Sequence, residues 1–185
     1  MQKEKNALTA ALDEVSESSA GGAPFLICYG VTFLITGVLA FILEREVSAL
    51  IAMFQGGGAL PAALALEKRM GGRRMAGDNP LRSLSVQMAM SQALAIPFLI
   101  VAYNVNPGQI PVMMAGLGGV HFLPYGWLHR TRIYIILGAA ISVGAFALVL
   151  VMGLDSYAPI LLFVGLAYWV AAPLVYRHAK NIVEA

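Results

Sequence analysis

A chain of 185 residues that is 59% apolar and only 12% charged, with mean hydropathy +0.75, has too little polar surface to cover a soluble fold, because soluble domains carry about 25% charged residues. The net charge of +2 includes no basic stripe interleaved with aromatics, which excludes a nucleic-acid surface. The one cysteine, Cys28, excludes an intramolecular disulfide and a thiolate metal cluster, and the length is that of a single domain.

Residues 1–21 place Leu8, Leu12 and Val15 on one helical face and Asp13, Glu14 and Glu17 elsewhere. That pattern predicts a short amphipathic cytoplasmic segment at a membrane surface, with an acidic balance that disfavours anionic lipid. Lys3 and Lys5 are not followed promptly by an apolar core, so the segment does not read as a signal peptide. Six apolar runs then follow, at 22–43, 47–66, 81–103, 109–128, 133–152 and 157–176. Each reaches the roughly 20 residues that a helix needs to cross a bilayer core. They are continuous rather than alternating, and longer than barrel strands of about 10 residues. The expected fold is all-α: a polytopic integral membrane protein with a cytoplasmic segment (1–21), a six-helix transmembrane domain (22–176) and a cytoplasmic tail (177–185).

Short links at 44–46, 104–108 and 153–156 make neighbouring spans antiparallel. The longer link, 67–80, ends in Asp78-Asn79-Pro80, which reads as an N-cap followed by proline at the first helical position. Six spans place 11 of the 12 Lys and Arg residues on one side, leaving Arg45 alone on the other. Basic residues near span ends stay cytoplasmic, so both termini are expected inside a bacterial inner membrane.

Spans two, four and six each carry a proline (Pro61, Pro124, Pro173) one or two turns before a basic end. Three repeated helical hairpins would produce this pattern, and so would the ordinary frequency of proline in membrane helices. Gly56, Gly57 and Gly58 precede Pro61, and Gly118 and Gly119 precede Pro124. Such clusters suit close helix packing and kinks, and paired Gly/Pro-interrupted spans also mark transporter sites.

His121 lies nine residues before Arg130, about 13 Å below the cytoplasmic end and near the bilayer middle. Gln55 and Gln92 fall at similar depth, as do Thr32, Ser142 and Tyr168. Costly polar side chains in hydrocarbon face inward. Gly118, His121, Pro124 and Tyr125 share one face of span four by their spacing. His121, Tyr125, Gln55 and Gln92 are therefore the candidate ligand or pathway residues. The alternative is a buried histidine that only fixes helix register. No Cys, Asp or Glu joins His121 at its depth, so no metal is expected, and nothing in the chain calls for a cofactor. HExxH, GxSxG and paired intramembrane Asp are absent, so an enzyme is not expected.

"GDNPL" (77–81) opening a span, with "GGVHFLPYGWLHRTRIY" (118–134), resembles a family of small bacterial multi-spanning membrane proteins known only as a domain of unknown function. Asn79, Pro80 and Leu81 match its first motif, and His121, Phe122, Leu123, Pro124 and Tyr125 its second. Arg132 and Tyr134 roughly match its basic-aromatic link, while Asp78 departs from the expected Gly-Asn spacing. The resemblance covers about residues 77–150 and implies a fold and a focal motif, not a reaction. Two functions follow as expectations. One is binding or transport of a small neutral or weakly polar solute at the His121 layer. The other is a structural or accessory subunit packing on a membrane partner or on itself through its glycine-rich helices.

Overall fold

The computed structural model describes residues 2–71 and 74–183. Arg73, counted above in the basic link, and the last two residues of the expected tail lie outside them. The described residues form nine α-helices joined by turns and short 3₁₀ segments: α1 (Gln2–Ser18), α2 (Ala23–Leu39), α3 (Arg45–Phe54), α4 (Gly56–Met70), α5 (Arg82–Met90), α6 (Ile96–Val105), α7 (Ile110–Leu128), α8 (Ile133–Met152) and α9 (Tyr157–Val183). The all-helical architecture is as expected, and no strand occurs among the described residues.

Five continuous helical stretches are long and apolar enough to cross a membrane: Ala20–Leu39, Arg45–Met70, Arg82–Val105, Ile133–Met152 and Tyr157–Ile182. The sixth expected span is α7, 19 residues long, whose prolines, glycines and His121 make it less apolar than the other five. Two expected spans are each built from two helices. Gln55 separates α3 from α4. A 3₁₀ segment, Ser91–Ala95, separates α5 from α6, just before Pro97. Proline lacks the N–H for the carbonyl four residues back and crowds it, which loosens the preceding turn. α9 also runs on to Val183, so no helix break marks the expected boundary at 176–177.

Two helix pairs, α2 with α9 and α7 with α8, form the densest packing, and α8 against α9 joins them. Glycine makes both pairs possible. A Cβ on Gly119 would lie 2.6 Å from the Gly138 carbonyl, and one on Gly165 would lie 3.0 Å from the Gly30 carbonyl. The core between the pairs is aromatic and aliphatic: Phe33, Phe122, Tyr168, Ile141, Leu161 and Val164 are buried. Phe122 meets Tyr168 edge to face at 5.4 Å, and Phe33 does so at 5.6 Å. α4 packs extensively only on α2, while α5 and α6 touch chiefly α7 and α3. The outer faces are openly apolar, with Val151 84% and Leu94 75% exposed. Soluble monomers rarely show apolar surface on this scale.

One end of the bundle gathers α1, the turn at Gly21, the 74–82 link, the 129–132 link and the end of α9. α1 turns Leu12 and Val15 inward, where they are buried with Leu81 and Leu128, and leaves Leu8 exposed. Asn79 does not cap a helix starting at Pro80. That helix starts two residues later, at Arg82, and the Asn79 side chain bridges its approach to α1. Its Nδ2 donates to the Ala11 carbonyl at 3.1 Å and to Glu14 Oε2 at 2.7 Å, and its Oδ1 accepts from the Leu81 N–H. The Ala76 N–H adds a bond to Glu14 Oε1 at 2.6 Å, and Arg130 pairs with Asp13 at 2.7 Å. α1 is thus bound to two links far from it in sequence.

Candidate functional site

The 3₁₀ turn before Pro97 places Ser91 against α7. Its Oγ donates to the Met88 carbonyl at 2.8 Å and lies 3.0 Å from His121 Nδ1. A hydroxyl has one proton. With that proton committed to Met88, Nδ1 of a neutral His121 is the donor to Ser91, and Nε2 is left as an acceptor. The His121 ring packs edge-on to Tyr125 one turn below, with centroids 5.0 Å apart. Both residues are half-buried.

Gln55 sits at the α3–α4 break. Its amide Nε2 and Oε1 are both buried and have no hydrogen-bond partner among the described residues. Gly56, next in the chain, faces Tyr29, whose hydroxyl would lie 3.3 Å from a Cβ built there. Gln55 at the α3–α4 break is thus one polar group, and His121 with Ser91 and Tyr125 is another. Gln92 flanks it and donates weakly to the Leu117 carbonyl at 3.4 Å. The two glutamines and His121 are not bonded to one another, so they do not form a closed, mutually satisfied network.

The glycines and prolines divide into two groups. Gly118 and Gly119 are buried, Gly118 facing the Tyr168 hydroxyl and Gly119 facing α8. Gly57 and Gly58 are exposed, with nothing within 4 Å of a Cβ built on either. Pro61 is exposed on α4, and Pro124 is half-buried on α7. Each interrupts the hydrogen-bond ladder of its helix.

Sequence reasoning missed Ser91 and Tyr29. Ser91 adjoins Gln92 and could have been read as a partner only with the 3₁₀ turn in view. Tyr29, inside an apolar run, carried no distinguishing signal. A second histidine cluster was also unforeseen. His129, fully buried in the 129–132 link, shares a 3.1 Å hydrogen bond between Nδ1 and Ser16 Oγ of α1. It also stacks on Tyr125, with centroids 5.8 Å apart, and lies 5.4 Å from the Tyr134 ring. His178 Nε2 donates to the His129 carbonyl at 3.1 Å. Burial pushes the His129 imidazole down to about 4, and the nearby His178 adds to the effect. Among the described residues no group of three metal-ligating side chains converges.

The chain is an all-helical bundle with five helical stretches long and apolar enough to cross a membrane, a composition compatible with a membrane protein. The chain belongs to the family of unknown function DUF7010, whose profile matches residues 8–178, including both sequence motifs and every expected span. No curated protein and no solved structure matches the chain.

Proposed function

We propose that this protein is a six-span inner-membrane protein with both termini cytoplasmic, and that it binds or carries a small neutral polar solute at the Gln55–His121 layer. The basic residues support the orientation. The end of the bundle that gathers α1, the 74–82 and 129–132 links and the end of α9 holds nearly all of them, and Arg45 lies at the opposite end beside Gly108. The observation that carries the solute reading is the Gln55 amide. A primary amide can make four hydrogen bonds. Leaving a buried donor or acceptor unpaired costs about 1–3 kcal/mol. Such a cost at a helix break inside a span is offset when a ligand supplies the bonds. Nε2 of His121 adds an acceptor, and no fixed charge stands in the layer. The solute is therefore neutral, with a donor for His121 and a donor–acceptor pair for Gln55, as in a small amide, urea or polyol.

The test is a thermal-shift screen of such solutes on detergent-solubilised protein, followed by uptake into proteoliposomes. A stabilising solute should lose its shift in Gln55→Leu and in His121→Gln. Gln55→Leu alone should melt at or above the wild-type temperature, because it removes unpaired polar atoms. A marked loss of stability in Gln55→Leu, or a shift retained in both variants, would refute the proposal.

A second reading has its own support. Gly57 and Gly58 leave an open face on α4, of the kind through which membrane helices approach a partner or a second copy. In that accessory role, Gly58→Leu would break an assembly seen by crosslinking in native membranes and leave solute shifts untouched.

A further inference from the structure

Away from the polar layer, α2, α4 and α9 enclose a groove of about 400 Å³ at the basic end of the bundle. Trp169, Pro173 and Tyr176 line it from one stripe of α9, Ala23 and Ile27 from α2, and Met70 from the last turn of α4. The Trp169 Nε1 donates to the Ile27 carbonyl at 3.3 Å, so the indole's polar edge is satisfied and its ring remains as apolar wall. The groove faces outward between helices and is apolar along its length. Its mouth is cationic. Lys180, one turn beyond Tyr176, holds its Nζ 4.9 Å from the Tyr176 ring centroid. Arg177 is exposed beside it, and Lys68 and Arg69 are exposed in the last turn of α4, against one carboxyl there, Glu67.

We propose that this groove is a binding site for a single anionic phospholipid, its acyl chain against Trp169 and Ile27 and its phosphate between Lys180 and Arg69. Three features select this occupant. The lining is almost wholly apolar, which disfavours a polar solute. A helix about 10 Å across would fill the volume within a single turn, so the groove is the size of a chain and not of a partner helix. The net positive mouth lies at the helix ends, where head groups sit and where anionic lipid attracts Lys and Arg. The site is separate from the Gln55–His121 layer and does not depend on the solute reading.

Trp127 and Trp169 are the two tryptophans of the chain, so Trp127→Phe leaves Trp169 as the sole reporter. The protein is placed in phosphatidylcholine vesicles containing a minor fraction of brominated phosphatidylglycerol, or the same fraction of brominated phosphatidylcholine. Quenching of Trp169 should be several-fold stronger with the anionic lipid. The excess should vanish in Arg69→Gln/Lys180→Gln and should shrink with added salt in the unsubstituted mouth, a control that needs no further variant. Equal quenching by the two lipids would overturn the head-group selection. Protection of Trp169 from both would show the groove covered by protein and overturn the proposal altogether.

Discussion

Gly119→Ala and Gly58→Ala are the same chemical change with opposite expected outcomes. On Gly119 the new methyl would meet Ser142 Oγ and lie 2.6 Å from the Gly138 carbonyl oxygen. Carbon makes unstrained contacts at about 3.5–4.0 Å, so α7 and α8 must part by roughly 1 Å, which forfeits a quarter to a half of the dispersion well across their shared contacts. Overpacking typically costs about 1–3 kcal/mol. The Ser142 hydroxyl can rotate aside but the Gly138 carbonyl is backbone and cannot, so the upper part of that range applies. Replacing helical glycine by alanine returns about 1 kcal/mol, leaving a net loss of about 2 kcal/mol. Gly58 has nothing within 4 Å, so there only the gain remains. At about 2–4 °C per kcal/mol for a chain of this size, Gly119→Ala should melt about 4–8 °C below wild type and Gly58→Ala slightly above it. Thermal unfolding in detergent, followed by circular dichroism, reads both. If the two variants shift by the same amount in the same direction, the α7–α8 contact does not have the closeness described.

Further outcomes can be measured independently. In a Cys28→Ala background, Asp155→Cys should react with an impermeant thiol reagent from outside the cell and Arg74→Cys only after the membrane is opened; labelling of both from outside would refute the orientation. Asn79→Ala removes two hydrogen bonds between α1 and the 74–82 link, to the Ala11 carbonyl and to Glu14, so limited proteolysis should cut within residues 1–21 well before wild type, with the remaining helices intact. His129 lies outside the spans and is held neutral by burial, down from an ordinary value of 6.5 to about 4. Opening of α1 rehydrates it, and the open state then binds more protons between those limits. The docked state should therefore hold fully above pH 6.5 and weaken by at most about 1.4 kcal/mol per unit as pH falls toward 4. In His129→Gln this part of the pH dependence of α1 proteolysis should disappear.

The helical class and the positions of the apolar segments were legible in the sequence because a bilayer imposes a length. Runs of about 20 apolar residues have few alternatives, and the ends of 109–128 and 133–152 fall within a residue of α7 and α8. His121 and Gln55 were legible as candidates for a related reason, since polar groups are rare where they cost most. What the sequence could not reveal was azimuth and distant pairing. Gly57, Gly58 and Gly119 are identical as letters, yet only Gly119 faces another helix, and that depends on how α4 and α7 are rotated in the assembled bundle. His121 meets Ser91 rather than either glutamine because Pro97 loosens the turn that carries Ser91. Asn79, which reads locally as a helix cap, also binds α1 across 68 residues of chain. Its Oδ1 keeps a local bond from the Leu81 N–H, while its Nδ2 reaches Ala11 and Glu14 because the docking of Leu12 and Val15 onto Leu81 and Leu128 brings α1 alongside.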